Sequence, residues 1–216
     1  MKKGFIFDLD GVITDTAKYH FIAWRNLGAK IGVDVDLKFN EQLKGISRMD
    51  SLDRILAHGG KENDFTLEEK EALAAQKNDE YVTLLQSLTP ADLLPGVKEF
   101  LDQANTKGVP CAIASASKNA PFILEKLGVK DQFAGIVDPA TLHKGKPDPE
   151  IFIKAAELLN IKPEEAVGFE DAQAGIDGIK ACHMFAVGVL SGEPLHGADV
   201  TCHELTELNM DELLQK

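Results

Sequence analysis

The chain has 216 residues, a length that suits one large α/β domain or a core domain with a smaller insertion. Its formal net charge of −12 argues against nucleic acid as a partner, because a phosphate backbone requires a basic surface. It contains no apolar run long enough to span a membrane, no signal peptide and three widely spaced cysteines. These features predict a cytoplasmic protein with no membrane partner, no disulfide and no cysteine-bound metal. A small phosphorylated ligand stays compatible with the charge, if a few lysines or arginines surround it.

The first predicted element is a short strand, and two carboxylates follow it. Residues 5–7 are all apolar, as in a strand that is buried on both faces of a parallel sheet. Asp8 and Asp10 come next, and ligands of open α/β sheets bind beyond the carboxyl ends of the strands. The two side chains could act as a nucleophile and a proton shuttle, or as metal ligands. An isolated pair of this kind is more often an ordinary strand end and turn.

The next segment, residues 15–92, shows helical patterns and no convincing strand. Apolar residues recur at helical spacing over 17–31. A second helix is expected to begin at Ser47 and to run to about 58. A capping box at Thr66 predicts the start of a long helix that runs to about 88. We therefore expect an all-helical insertion directly after the first strand. Such an insertion leaves from, and returns to, the edge that carries the two carboxylates, so it could act as a lid.

From residue 93 onward, predicted strands and helices alternate, which is typical of βαβ units on a parallel sheet. The strands are expected at 109–114, 135–137, 166–169, 184–189 and 199–202, and the helices at 97–107, 119–127, 149–160, 172–182 and near the C-terminus. The predicted fold is a Rossmann-like α/β core with a small all-helical cap inserted after the first strand. The core is discontinuous and comprises residues 1–14 and 93–216, and the cap comprises residues 15–92.

Three further polar clusters follow strands of this core. Residues 115–119 combine two serines, a lysine and an asparagine before a helix, residues 144–149 form a loop with lysines and two prolines, and Glu170 with Asp171 follows the strand at 166–169. Taken singly, these clusters have ordinary explanations: a helix cap, a surface loop, and favourable charge at a helix N-terminus. A helix N-terminus with hydroxyls and a lysine is also suited to bind an anion.

Because parallel strands end at one edge of the sheet, the clusters are expected to converge there. Two carboxylates about 5 Å apart repel by roughly 3 kcal/mol at an effective dielectric constant of about 20, so four of them require a cation. Hard oxygen ligands without histidine or cysteine indicate Mg²⁺. A bound Mg²⁺ beside Lys146 and Ser115 would form a site for a phosphoryl group.

The motifs Asp8-Leu9-Asp10-Gly11-Val12, Ser115, Lys146-Pro147 and Gly168-Phe169-Glu170-Asp171 together resemble the haloacid dehalogenase superfamily of phosphoryl-transfer enzymes. The resemblance covers the whole core, and the helical insertion is similar to that superfamily's small α-helical cap. It implies that Asp8 is the nucleophile that forms a phospho-aspartate and that Asp10 is the general acid and base. It further implies that Ser115 and Lys146 orient the phosphoryl group, and that Mg²⁺ is held by Asp8, the backbone carbonyl of Asp10, Glu170 and Asp171.

A narrower resemblance is to the phosphomutases of this superfamily that interconvert β-glucose 1-phosphate and glucose 6-phosphate through bound glucose 1,6-bisphosphate. It rests on residues 7–16, 19–21, 40–45, 115–119 and 173–176; Ala172 and Gly145 depart from the usual pattern. A mutase needs a second phosphate site, for which Arg48 and the 117–119 loop are candidates. The resemblance implies substrate contacts from His20, Trp24, Lys44, Gly45, Ile46, Ser47, Arg48, Ser51, Lys77, Ser115, Ala116, Ser117, Lys118, Asn119 and Lys146. Arg48 on its own would be a solvated surface arginine.

Two polar residues fall on apolar stripes of the predicted cap helices. His20 shares a face with Trp24, and Lys77 lies on the stripe of Tyr81. A lysine in such a place is uncommon unless it is paired or extends to solvent, whereas a histidine there is more often a satisfied core residue. The phosphomutase resemblance implies a His20–Lys77 pair that couples the cap to the proton-transfer step. Trp24 is equally compatible with cap core, and Ser51 with a plain helix surface.

Three other interpretations compete with a mutase. A sugar-phosphate phosphatase on the same scaffold would share every core motif and lack only the second phosphate site. A phospho-accepting receiver domain also combines acidic residues, a hydroxyl and a lysine, but it carries its acceptor aspartate later in the fold and has no large insertion after the first strand. A purely structural α/β domain would not need four polar clusters at one edge. We expect a monomeric enzyme.

Overall fold

The structure, a computed structural model, describes residues 1–43, 46–192 and 194–216. The chain divides into two compact units, one formed by residues 1–15 and 88–216 and the other by residues 16–87. In the described part of the chain, no helix combines the length and the apolar character that a membrane crossing requires.

The first unit is built on a six-stranded sheet in which every neighbouring pair of strands is parallel. The strands are β1 (Gly4–Phe7), β2 (Cys111–Ile113), β3 (Gly135–Ile136), β4 (Ala166–Glu170), β5 (Phe185–Val189) and β6 (Val200–Cys202). Their order across the sheet is β3-β2-β1-β4-β5-β6. The first strand of the sequence is therefore central, and the strand order reverses between β1 and β4, where ligands of such sheets usually bind. The predicted parallel α/β core is confirmed.

Strand β1 is buried on both faces, as its unbroken apolar sequence predicts. Because side chains alternate along a strand, Ile6 faces one side of the sheet and the two phenylalanines face the other. Ile6 packs in a cluster with Phe152, and Phe7 stacks on Phe169 with 4.4 Å between the ring centroids. Both faces of the central strand thus hold it in place by apolar packing, and the position of Asp8 at its end follows.

The helices of this unit agree with the predicted alternation. They are α5 (Val97–Thr106), α6 (Ala120–Lys126), α7 (Glu150–Leu158), α8 (Gln173–Ala181) and α9 (Met210–Leu214). The segments that lead out of the first strand and back into the unit also pair with each other. The Thr14 hydroxyl donates to the carbonyl of Asp92 at 2.7 Å, and the Leu94 N–H donates to the carbonyl of Ile13 at 3.0 Å.

In the described residues of the second unit, the regular elements are all helices. It contains α1 (Ala17–Ile31), α2 (Leu37–Asn40), α3 (Arg48–His58) and α4 (Leu67–Leu85). The predicted caps are present: the Ser47 hydroxyl accepts from the N–H of Asp50, and Thr66 and Glu69 form a capping box. The short helix α2 was not predicted, because four residues are too few to show a helical period. Helix α4 ends three residues before the expected position 88.

Candidate active site

Polar groups from three neighbouring strands meet at one edge of the sheet. Asp8 follows β1, Glu170 is the last residue of β4, and Ser115 lies two residues beyond β2. Backbone hydrogen bonds continue past the strand ends: the Asp8 N–H donates to the carbonyl of Phe169 at 2.9 Å, and the Ala114 N–H donates to that of Phe7 at 2.8 Å. The parallel register therefore carries these side chains to a common place, as the sequence predicts.

A buried lysine joins two buried carboxylates at this edge. The Lys146 ammonium donates to Asp8 Oδ1 at 2.7 Å and to Glu170 Oε2 at 2.8 Å. The side chain of Lys146 is 1% exposed, that of Asp8 8% and that of Glu170 0%. The ammonium also lies 5.1 Å from the centroid of the Phe152 ring, a favourable cation–π distance. The Lys146 contact fixes the orientation of the Asp8 carboxylate.

Burial and charge act against each other in this group. Burial raises the pKa of Asp8, while the charge and hydrogen bond of Lys146 oppose the shift and Asp10 adds to it. Burial and the negative charge of Asp8 raise the pKa of Glu170 well above its ordinary value. Burial would lower the pKa of Lys146, but the two carboxylates more than compensate and raise it. Lys146 is therefore a cation at neutral pH, and burial disfavours the charged form of both carboxylates.

The acidic residues have the geometry of a cation site. Carboxylate oxygens of Asp8, Glu170 and Asp171 lie within 4.8 Å of one another. Asp10, half-buried two residues beyond Asp8, adds its negative charge to the field at Asp8. The donors are all oxygens, which hard divalent cations prefer. This donor set fits a divalent metal and supplies more negative charge than Lys146 alone can balance.

Two glycines provide the space for these carboxylates. A Cβ atom on Gly175 would lie 2.0 Å from the carboxyl carbon of Glu170, and one on Gly11 would lie 2.0 Å from Asp171 Oδ2. Neither distance is possible between non-bonded atoms. Gly11 also has a φ of +78°, a conformation that favours glycine. The backbone of the first turn of α8 and of the turn after β1 thus forms the walls around the acidic residues.

The loop after β2 is ordered by its own serines. The buried Ser115 hydroxyl accepts from the N–H of Ser117 at 3.2 Å, and the Ser117 hydroxyl accepts from the N–H of Asn119 at 3.2 Å. Ala116 is half-buried and Lys118 is exposed. Ser115 lies at the same sheet edge as Asp8, and the remainder of the loop extends from it toward α6.

In the helical unit, the predicted His20–Lys77 contact is present. The Lys77 ammonium lies 2.7 Å from His20 Nδ1 and 4.6 Å from the ring centroids of both Trp24 and Tyr81. The His20 ring stacks on Tyr81, whose hydroxyl donates to the Thr16 hydroxyl at 2.9 Å. Lys77 is 2% exposed, and the aromatic rings explain how a lysine is accommodated on a buried stripe.

The other predicted substrate residues of this unit lie in different environments. Trp24 packs in the helical core, and Ser51 is buried with its hydroxyl donating to the carbonyl of Ser47. Arg48 is half-buried, and its guanidinium forms no hydrogen bond or ion pair within the described residues. Burial lowers the pKa of Arg48, and Asp79 and Tyr81 oppose the shift. Ile46 is half-buried, and Lys44 and Gly45 lie outside the residues that the structure describes.

Comparison with known proteins supplies the class to which this site belongs. The family model of the haloacid dehalogenase-like hydrolases matches residues 2–183, and the chain belongs to this family, whose phosphotransferases generally use a divalent metal. The chain is 49% identical over 211 residues to the β-phosphoglucomutase of Bacillus subtilis, covering 98% of this chain and 93% of the relative. It is 29% identical to the validoxylamine A 7′-phosphate phosphatase of Streptomyces hygroscopicus, covering 96% of each chain. The crystal structure of β-phosphoglucomutase from Clostridium difficile is similar, with a TM-score of 0.96 and 46% identity over 100% of this chain and 96% of the other.

The structure also brings residues to the site that the sequence analysis did not select. Phe152 and Gly175 lie within predicted helices, where an aromatic residue and a glycine carry no signal of contact with a distant lysine or glutamate. Glu150 accepts hydrogen bonds from the loop that carries Lys146. Its only signal in the sequence is an acidic side chain in the first turn of a helix, which has an ordinary explanation.

Replacing Gly175 with alanine should displace the Glu170 carboxylate, since the added methyl group would overlap it. We expect the variant to lose about 10- to 100-fold in phosphoryl-transfer activity, the usual effect of disturbing a group that orients a metal or catalytic ligand. Hydrolysis of 4-nitrophenyl phosphate measures the loss. Gly145→Ala is the matched control, because a Cβ there meets no heavy atom within 4 Å. Full activity of G175A would show that the Glu170 carboxylate does not need this space.

Proposed function

We propose that this chain catalyses the β-phosphoglucomutase reaction, the interconversion of β-glucose 1-phosphate and glucose 6-phosphate through glucose 1,6-bisphosphate. The observation that carries the proposal is the buried Lys146, which orients the Asp8 carboxylate at the end of the central strand. An oriented carboxylate beside a permanent cation is suited to attack a phosphoryl group. The B. subtilis relative and the C. difficile structure, both named β-phosphoglucomutase and both above 45% identity, support a mutase rather than a phosphatase.

In the proposed mechanism, Asp8 and Asp10 divide the chemistry. Phospho-Asp8 transfers its phosphoryl group to the 6-hydroxyl oxygen of β-glucose 1-phosphate, and Asp10 accepts the hydroxyl proton. The bisphosphate reorients, and an Asp8 carboxylate oxygen attacks the phosphorus at position 1. The bond from that phosphorus to the sugar oxygen breaks, and Asp10 returns the proton to this oxygen. The products are glucose 6-phosphate and the phospho-aspartate with which the cycle began.

Lys146 and Ser115 bind and orient the phosphoryl group in this proposal. Lys146 is positioned to stabilise the charge on the phosphoryl oxygens in a site with little water, where a fixed cation is most effective. Ser115 is 3% exposed at the end of the neighbouring strand and offers a hydroxyl hydrogen bond. Ala116, Ser117, Lys118 and Asn119 extend this phosphate-binding loop.

The metal of the proposed enzyme is Mg²⁺, held by Asp8, the backbone carbonyl of Asp10, Glu170 and Asp171. The fit of three carboxylates with oxygens within 4.8 Å of one another supports these ligands. When bound, the ion supplies positive charge that offsets these carboxylates and the phosphoryl oxygens.

The phosphate that is not being transferred is proposed to bind Arg48, with Ser117, Lys118 and Asn119. The Arg48 guanidinium forms no hydrogen bond or ion pair with the described residues, which supports this role because Arg suits bidentate phosphate binding. The other proposed substrate residues are His20, Trp24, Lys44, Gly45, Ile46, Ser47, Ser51 and Lys77. We assign residues 1–14 and 93–216 to a catalytic core and 15–92 to a cap; the monomeric state and cytoplasmic location stay predictions.

The direct test of the proposal is ³¹P NMR of the protein with MgCl₂, β-glucose 1-phosphate and a trace of glucose 1,6-bisphosphate. We expect conversion to glucose 6-phosphate with little inorganic phosphate, and a loss of at least about 10³-fold in Asp8→Ala, since it lacks the nucleophile. Asp131→Ala, which removes an exposed carboxylate, is the control. Accumulation of inorganic phosphate would identify a phosphatase instead, and unchanged turnover by D8A would refute the phospho-aspartate.

Added MgCl₂ should raise the midpoint of thermal unfolding, because a ligand that binds only the folded state stabilises it. When the free Mg²⁺ concentration is about a hundred times its dissociation constant, the free energy of unfolding should rise by about 2.7 kcal/mol. Asp171→Asn should require a higher MgCl₂ concentration for the same rise in the midpoint of thermal unfolding. Asp177→Asn, which alters an exposed carboxylate on α8, should require no higher concentration. Equal responses of the two variants would place the cation elsewhere.

Arg48→Ala should weaken mutase turnover and spare simple ester hydrolysis. Hydrogen bonds to charged groups contribute about 1.5–3 kcal/mol, so kcat/KM for β-glucose 1-phosphate should fall by about 10- to 100-fold. If Arg48 binds only the phosphate that is not transferred, kcat/KM for 4-nitrophenyl phosphate, which has no second phosphate, should change by less than about twofold. Arg25→Ala, an exposed arginine on α1, is the control. Equal losses in both reactions would argue against a distal phosphate site at Arg48.

A further inference from the structure

The segment that carries Lys146 has no regular secondary structure. Residues 142–149 lie between a short 3₁₀ turn, Pro139–Thr141, and helix α7. His143, Lys144 and Gly145 are exposed, so apolar packing does not hold them. Yet the Lys146 ammonium must stay within hydrogen-bond distance of both Asp8 and Glu170. Other contacts are therefore needed to fix this segment.

The carboxylate of Glu150 supplies these contacts from the first turn of α7. Its Oε2 accepts from the backbone N–H groups of His143 at 2.8 Å and Lys144 at 2.9 Å. Its Oε1 lies 2.9 Å from His143 Nδ1 and 3.3 Å from the Lys154 ammonium. Lys154 also donates to the carbonyl of Thr141 at 2.5 Å. One carboxylate thus ties two backbone N–H groups and the His143 ring, all before Lys146, to the helix after it.

The far end of the segment is tied to the same helix. The Asp148 N–H donates to the carbonyl of Gly145 at 3.0 Å, and the Asp148 carboxylate accepts from the N–H of Glu150 at 3.1 Å. Lys146 is therefore held between two attachments to the start of α7. The His143 hydrogen bond, followed by the backbone N–H groups and Lys154, lowers the pKa of Glu150 to about 2 against a smaller opposing effect of burial. The Glu150 carboxylate is therefore ionised throughout the neutral pH range.

We propose that Glu150 is a positioning residue. It holds residues 143–148, called here the 143–148 segment, so that the Lys146 ammonium stays within hydrogen-bond distance of Asp8 and Glu170. The part of this inference that concerns rate rests on the proposed function. Glu150 acts through Lys146 and does not itself touch the reacting groups.

The test uses Glu150→Gln, which keeps the shape of the side chain but replaces one acceptor oxygen with a donor. We expect kcat for hydrolysis of 4-nitrophenyl phosphate to fall by about 10- to 100-fold with a smaller change in KM, as for displaced catalytic groups. Glu150→Asp keeps the charge but shortens the reach, so its kcat should also fall; it replaces E150Q if that variant does not fold. The control is Glu157→Gln, an exposed residue on the same helix.

A double-mutant cycle with Lys146→Ala separates positioning from general stabilisation. If Glu150 acts through Lys146, E150Q should lower kcat in the wild-type background and have no further effect in the K146A background. If it only stabilises the fold, its effect should be the same in both backgrounds. An equal loss in both backgrounds, or wild-type activity of E150Q and E150D, overturns the proposal.

Amide hydrogen exchange provides a readout that does not depend on activity. In E150Q we expect exchange to accelerate by about 10-fold at Asp148, beyond Lys146, as well as at His143 and Lys144, because the whole segment loosens. Acceleration confined to His143 and Lys144 would mean that only two hydrogen bonds were lost, and would overturn the inference. If the wild-type protein transfers no phosphoryl group, the proposed function fails, and exchange at Asp148 still decides whether Glu150 orders the segment.

Discussion

The buried contact of one lysine with two carboxylates is the interaction on which the rest of the site depends. Lys146 is almost fully enclosed with Asp8 and Glu170, and none of the three could be buried in charged form alone. Removing one partner of a buried pair commonly costs about 3–5 kcal/mol, because it leaves an uncompensated charge. The contact therefore imposes conditions on the sheet register, on the loop of Lys146 and on the space beside Glu170.

The surrounding fold meets these conditions with rigid elements. The central strand is packed on both faces, and the neighbouring strand β4 continues its hydrogen bonds to Asp8. Gly175 leaves room for the Glu170 carboxylate, so the first turn of α8 can approach it closely. Glu150 at the start of α7 attaches the loop that carries Lys146. Each of these features lies outside the reacting groups and determines where they can be.

The protein buries two lysines by different physical means. Lys146 is surrounded by negative charge, which keeps it a cation and orients a carboxylate. Lys77, in the helical unit, lies against two aromatic rings and His20. The first environment suits a group that handles a phosphoryl oxygen. The second combines two cation–π contacts with the contact to His20, the residue with which Lys77 is proposed to pair.

The sequence by itself determined the alternation of strands and helices, the helical insertion and the acidic ends of two strands, because these depend on local periodicity and capping. It also indicated that Lys77, on an apolar stripe, is either paired or extends to solvent, and the structure shows the contact with His20. Only the tertiary structure decided the strand order, the space that Gly175 provides and the anchoring of the 143–148 segment by Glu150. The sequence predicts that Lys146 and Asp8 lie at one edge of the sheet, but no local pattern encodes the hydrogen bond between these residues, which are 138 positions apart. The hydrogen bond forms because the folded sheet brings the loop before α7 to the end of β1.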